Sequence, residues 1–200
     1  MPLVLVPGDN DWTDCHRAGA GRHDPLERLD RLRALFHAGD RSLGNRSLRL
    51  TRQSAEERFF AYRENTRWVT SGVVFVTLNV PGSNNNLGRN PEMDAEHAER
   101  MRANFEWLDE AVKRSEAPEI RGLAVFAHAD PRFRRGPPRI DGYARFRAVL
   151  QTHAGWLRKP LLYAFTATGT ATASTSLCAT RRPGARSPPS RASKASARPN

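Results

Sequence analysis

The 200 residues carry 38% apolar side chains and a formal net charge of +11. That content is low, yet it allows one domain with a core of its own. No run approaches the length of a membrane-spanning helix, and no leader with a basic start and an apolar centre precedes Gly8. The sequence therefore predicts no membrane partner and no signal peptide, and Cys15 and Cys178 give neither a disulfide framework nor a thiol metal-ligand spacing.

Taken in order, the chain opens on Leu3-Val4-Leu5-Val6, four apolar residues that predict a short strand covered on both faces. Pro7-Gly8 stops it and presents Asp9, Asn10 and Asp11 on a loop at its end. Oxygen-rich clusters of this kind suit divalent cations; the plain alternative is an Asx-turn closing a strand. Thr13 to His23 reads as a loop holding Asp14, Cys15, His16 and His23. A helix follows, with Asp24 as N-cap and Pro25 in its first turn. Leu26, Leu29, Leu32, Leu35 and Phe36 form its apolar stripe, and His37 reads as a helix-end histidine.

Ser47 to Gln53 reads as a half-exposed strand. Arg67 to Thr70 and Val73 to Val80 predict a hairpin turning at Ser71-Gly72, with the β-branched run from Val73 central in a sheet. Pro81 to Asn86 is a polar loop at that strand's end, either facing a substrate or serving as a connector. Asn90-Pro91 starts the longest helix, to about Glu116. Its expected buried stripe is Ala95, Ala98, Met101, Phe105, Leu108 and Val112, with Glu96, Glu99, Arg100, Asp109 and Lys113 outside. Leu123 to Ala127 is a buried strand with His128 just past its end. Arg132 to Arg139 is a basic loop, Tyr143 to Trp156 a helix, and Leu161-Leu162-Tyr163 opens one more strand. This order predicts an α/β layered sandwich over residues 1–164.

Several separated blocks resemble a bacterial branch of the calcineurin-like metallophosphoesterases. They are Pro7 to Cys15, Arg52-Gln53, Glu64 to Trp68, Asn79 to Asn86, Arg102 to Leu108, Ala127 to Pro131 and Lys159 to Leu162. The resemblance implies an α-β-β-α sandwich, here partial, and hydrolysis of a phosphoester small molecule or phosphorylated substrate. Two divalent metals, Mn, Fe or Zn, would activate water for attack on phosphorus. Gly8 to Asp11 resembles the family's amide-bearing metal turn. Asp9 stands where most of the superfamily has the ligand asparagine, and Asn10 where it has a histidine often cast as general acid. Either Asp9 or Asn10 is thus the implied metal ligand, and Asn10 occupies the catalytic position. His128 resembles the family's lone histidine ligand.

The family's first two metal blocks do not appear before Met1, and its last is expected after Leu161-Leu162-Tyr163. The chain instead continues Phe165-Thr166-Ala167-Thr168-Gly169. Back-translated with GC-rich codons and read from the last base of the Ala164 codon, this stretch can encode a His-Gly-Asp-x-His block. The sequence thus predicts that residues from about Ala164 to Asn200 are a frameshifted translation. It also predicts a basic, low-complexity, disordered tail over residues 165–200, dominated by Pro, Ser, Ala and Arg.

Two functions follow. The first is a metallophosphoesterase with an incomplete two-metal centre and little or no activity. The second is a non-enzymatic protein binding nucleic acid or phosphate through its basic loop and tail. There Arg181, Arg182, Arg186, Arg191, Lys194 and Arg198 stand without an acid, and Phe133, Tyr143 and Phe146 are candidates for base stacking.

Overall fold

The computed structural model describes residues 1–131, 133 and 138–166. Basic-loop residues 132 and 134–137 and residues 167–200, which hold nearly all of the expected tail and frameshift, lie outside them.

One five-stranded sheet orders the chain as β1-β2-β3-β4-β5. Its strands are β1 (Thr51–Arg52), β2 (Thr66–Thr70), β3 (Val73–Thr77), β4 (Gly122–Ala127) and β5 (Leu161–Phe165). β1, β2 and β3 run antiparallel, with Trp68 opposite Phe75. β3, β4 and β5 are parallel, with Val76 opposite Val125 and Val125 opposite Tyr163. The hairpin turns at Ser71-Gly72 as expected, both at positive φ, and the β-branched strand is central.

Parallel neighbours need crossovers. These are α3 (Pro91–Ser115), between β3 and β4, and α4 (Ala144–Trp156), between β4 and β5. Two successive crossovers of one hand, stepping in one direction, place both helices on the same face of a sheet. That face holds the core: Val74, Val76, Leu123, Val125, Leu161 and Tyr163 pack against Phe105, Leu108, Phe146 and Leu150. The other face carries Trp68, Phe75 and Phe126, only part-buried and stacked ring on ring at 5.2 and 6.1 Å between centroids. The α/β class is as expected, and among the described residues it is built on one sheet.

Four expectations are corrected. The opening run is not a strand of the sheet: Leu3 is 57% exposed and makes only an isolated bridge to Leu43. An apolar run fixes neither its partner nor its burial, and here the partner is a small loop beside the domain. In α1 (Pro25–Phe36), capped by Asp24 onto the Leu26 amide, the core side is Leu29, Leu32 and Arg33, whereas Leu35 and Phe36 are exposed. In α3, Ala95 and Ala98 are exposed, while Arg100, expected outside, is fully buried beside Met101, Asn104 and Leu108. Both helices turn a charged side chain inward because a buried acceptor waits for it. The half-exposed strand expected over Ser47 to Gln53 shrinks to the two residues of β1 plus an isolated bridge between Arg41 and Arg49.

Candidate functional site

The carboxyl ends of β3 and β4 lie side by side, because the strands are parallel and in register. The Leu78 amide donates to Phe126 O at 2.9 Å, and the Ala129 amide to Val80 O at 2.9 Å. The segments leaving these ends, Pro81 to Asn86 and His128 to Pro131, therefore emerge together. Parallel sheets keep their ligand sites at such ends.

Residues 7–16 fold against this end as a tight loop. The Asp9 carbonyl accepts from the Trp12 and Asp14 amides and from the Thr13 hydroxyl, while Asp11 closes the turn by accepting from the Gly8 amide at 2.7 Å. The Asp9 side chain is thereby thrown inward. Its Oδ1 accepts from the Asn10 amide at 3.1 Å and lies 3.0 Å from His128 Nε2. Burial raises the Asp9 pKa, but the hydrogen bond and charge of His128, with the Asn10 amide, outweigh it and hold the carboxyl below its ordinary value. On the far side of the imidazole, Nδ1 lies 3.0 Å from Thr166 Oγ1.

Two glycines permit this approach. A Cβ on Gly8 would stand 2.8 Å from the His128 ring, and one on Gly82 would stand 2.2 Å from Asp9 Oδ2. Any side chain at either position pushes the Asp9–His128 pair apart.

Next to Gly82 comes an unusual turn. In α2 (Gly82–Asn85), Ser83 and Asn84 have left-handed φ/ψ, and Asn85 and Asn86 also have positive φ. Asparagine tolerates that region better than most residues, but a left-handed run still costs roughly 1–2 kcal/mol per residue. Buried partners hold it. Arg100, fully buried, donates to Asn85 Oδ1 at 2.7 Å, to Asn85 O at 3.0 Å and to Asn79 O at 2.8 Å. Tyr143 OH donates to Pro81 O at 3.0 Å, and Asn85 Nδ2 donates to Gly142 O at 2.9 Å.

The turn delivers Ser83 to the acids. Ser83 Oγ lies 2.6 Å from Asp14 Oδ1 and 3.3 Å from Asp9 Oδ2, and it accepts from Arg17 at 3.3 Å. A hydroxyl has one hydrogen, and the shorter distance assigns it to Asp14. Asp9 Oδ2 then keeps only the longer Ser83 contact, with lone-pair capacity left over. An open carboxylate oxygen beside an imidazole nitrogen is a donor set that fits one divalent metal. Nε2–H donates to Asp9 Oδ1, so it would ligate a metal only after giving up that proton, with Nδ1–H turned to Thr166 Oγ1.

Beneath the turn lies a second polar cluster. Arg33 grips Glu64 with two hydrogen bonds of 2.8 Å, and Asn79 Nδ2 donates to the same carboxylate at 2.8 Å. Asn65 donates to Gln53 Oε1 and Asn104 Oδ1, each at 2.8 Å, while Asn104 Nδ2 donates to Asn79 O. Gln53, Glu64, Asn65, Asn79 and Asn104 come from four of the blocks that carried the resemblance. They form the support of the turn, below Asp9 and His128.

Of the residues expected at the site, Asp9 and His128 are brought together. Asn10 is exposed and reaches Asp9 through its backbone amide. Ser83, Asp14, Arg17, Gly82 and Arg100 went unrecognised; the run of three asparagines after Gly82-Ser83 was the available sign of a left-handed turn. Cys15 is part-buried with Sγ 3.8 Å from Asn10 O, and burial pushes its thiol pKa up. Of the aromatics considered for base stacking, Tyr143 and Phe146 are buried in the core, and Phe133 packs edge-on against Tyr163.

Among the described residues no group of three or more His, Cys, Asp or Glu side chains converges as a metal site, and no helix is long and apolar enough to cross a membrane. No protein-family model, curated protein or solved structure matches the chain.

Proposed function

We propose that this chain is a metal-dependent phosphoester hydrolase with an incomplete two-metal centre, and that Asp9 and His128 are its two ligands to one divalent metal. The observation that carries the reading is their meeting. Two residues singled out from separate stretches, 119 positions apart, lie 3.0 Å from each other at the carboxyl end of a parallel sheet. Mn, Fe and Zn all suit a carboxylate and imidazole pair. When bound, such a metal lowers the pKa of a coordinated water and polarises a phosphoryl oxygen. The chain's own part is to hold Asp9 Oδ2 and the imidazole convergent, with Gly8 and Gly82 making room and Asn10 at the loop's outer rim.

One metal held by two side chains is half of what two-metal hydrolysis requires, so slow or no turnover is expected. The partial sandwich and the frameshift from about Ala164 belong to the same reading, since a His-Gly-Asp-x-His block after β5 would supply further ligands.

The decisive experiment titrates Mn²⁺ into the purified chain by calorimetry. About one site per chain is expected, lost in the His128→Ala and Asp9→Ala variants. Absence of Mn²⁺, Zn²⁺ and Fe²⁺ binding overturns the reading. Hydrolysis of an aryl phosphate with Mn²⁺ above the metal-free control contradicts the half-site, and sequencing of the coding DNA tests the frameshift.

A further inference from the structure

His37 closes α1 and is only 7% exposed, and its Nε2 is buried without a hydrogen-bond partner among the described residues. The ring lines a space of about 10 Å³, room for one water. The same space is lined by Leu3 and Leu5 of the opening segment, by Leu43 and Leu50, and by Arg41 and Arg52.

The opening segment walls this space and is held lightly. Leu3 and Leu43 exchange two backbone hydrogen bonds of 2.8 Å, an isolated bridge. Among the described residues these are the only backbone-to-backbone hydrogen bonds that residues 1–7 make. The segment then runs through Pro7 into the Asp9 loop, where Gly8 lies against the His128 ring.

A neutral imidazole fits this place better than an imidazolium. The carboxyl end of a helix ordinarily favours a cation, but Arg52 already fills that role, donating to the carbonyls of His37 and Ala38. The charged groups around the ring are Arg33 of α1 itself, Arg52 of β1, Glu64 before β2 and, across the space, Arg41. Glu64 is the one acid among them, and Arg33 grips both of its oxygens. Residues 1–6 bring no charged side chain. Burial, with Arg52 and Arg33, outweighs Glu64 and holds the His37 pKa below its ordinary 6.5.

We propose that His37 is an acid-sensitive latch on the opening segment: a proton taken up from solvent opens the Leu3–Leu43 bridge and lets water reach the ring. One water cannot solvate an imidazolium, and the segment is the wall that yields most cheaply. Opening frees the ring to titrate near 6.5, whereas the closed segment resists the proton. Opening is thus least favoured above about pH 6.5 and grows as pH falls toward the closed-state value, by at most about tenfold per pH unit. The device makes the anchorage of the Asp9 loop depend on acidity.

The test follows amide hydrogen exchange of the full chain by NMR at about pH 7.5 and about pH 5.5, each rate taken relative to that of an unstructured chain. Protection of the Leu3 and Leu43 amides is expected to fall several-fold to about tenfold at the lower pH. The Arg121 amide, bonded to Gly72 O at the hairpin's turn, is expected to keep its protection. His37→Gln, which cannot titrate, is expected to abolish the pH response at Leu3 and Leu43, and His37→Leu takes its place if that variant fails to fold. His23→Gln, removing an exposed histidine, is expected to leave the response intact. Leu3 and Leu43 amides that are unprotected at the higher pH, or equally protected at both, overturn the latch. So does a loss of protection that persists in the His37 variant or is matched at Arg121.

Discussion

Two polar clusters lie one above the other in this molecule, and they are built to different standards. The lower one joins Arg33, Glu64, Asn79, Asn65, Asn104 and Gln53. Its carboxylate has a bidentate guanidinium and an amide donor, and its side chains are almost wholly shut from water. The upper one joins Asp9, His128, Ser83, Asp14 and Arg17, with Asp9 Oδ2 reached only by Ser83 at 3.3 Å, and the nearby turn is followed by Arg89, whose NH1 is buried without a partner among the described residues. Burial without satisfaction is expensive. Neither network is complete among the described residues, since Asn79 Oδ1 in the lower one is also buried without a partner, but the lower one matches its buried charges one to the other. We read the lower cluster as structural and propose the upper one as the functional end, although both are polar and rich in the residues that carried the family resemblance.

The largest effect that tests this contrast is Glu64→Gln. It leaves the Arg33 charge buried without its counter-charge, and breaking such a pair costs about 3–5 kcal/mol. For a chain of this size the melting midpoint is expected to fall by roughly 10 °C or more in differential scanning calorimetry. A fall no larger than that of an exposed substitution would mean that the lower cluster is not what holds the turn. The pH dependence follows from the same group. Burial raises the Glu64 pKa, but Arg33 and Asn79 outweigh it, so the folded value lies below the ordinary 4.5. The unfolded chain takes up the proton first as pH falls. The pair's contribution is fully present above about pH 4.5 and lost as pH drops through the folded value. Glu64→Gln is therefore expected to flatten the acid limb of the stability curve.

A smaller effect on stability, but a larger one on binding, is expected from Gly82→Ala. The added Cβ would meet Asp9 Oδ2 at 2.2 Å and the Asp9 Cγ at 2.7 Å. The carboxylate must move, at about 1–3 kcal/mol of overpacking. Mn²⁺ affinity is expected to fall at least about tenfold, because metal ligands tolerate little displacement. Equal Mn²⁺ affinity in Gly82→Ala would separate Asp9 from the metal and break the contrast at its upper half.

How much of this was legible in the sequence depends on which force positions each residue. The hairpin at Ser71-Gly72, the central strand from Val73 and the caps of α1 and α3 are set by local turn and capping chemistry, and they read correctly. Asp9 and His128 were singled out by residue type and by the family resemblance, and His128 also by its place after β4, but their meeting was not legible, since it depends on two loops converging at one sheet end. Arg100, expected outside, and Arg33, off the expected apolar stripe of α1, both turn inward. A helical stripe assigned by hydrophobicity sends arginine outward, whereas here each is drawn in by an acceptor from a distant stretch: Glu64 for one, and Asn79 and Asn85 for the other. Ser83 was legible only as part of a loop that either faces a substrate or connects, because its contacts arise from a left-handed turn whose tertiary partners override local preference.

The smallest expected effect concerns the exposed pair between Arg114 and Glu119. Its N–O distance is 2.8 Å, the same as that between Arg33 NH2 and Glu64 Oε1. Distance alone would rank the two as equals. The surroundings do not. Glu64 is shut from water and its partner nearly so, whereas the Arg114 and Glu119 side chains are 41% and 61% exposed. Water and salt screen such a pair, and ordering two long side chains offsets most of what attraction remains. The Glu119 carboxyl sits below its ordinary value chiefly through a backbone hydrogen bond of its own, with Arg114 second. Glu119→Gln is thus expected to leave the melting midpoint where it was, at low salt and at high. A midpoint that falls by as much as in Glu64→Gln would show that proximity, and not exclusion from water, sets the worth of a charge pair in this fold, and the distinction drawn between the two clusters would lose its basis.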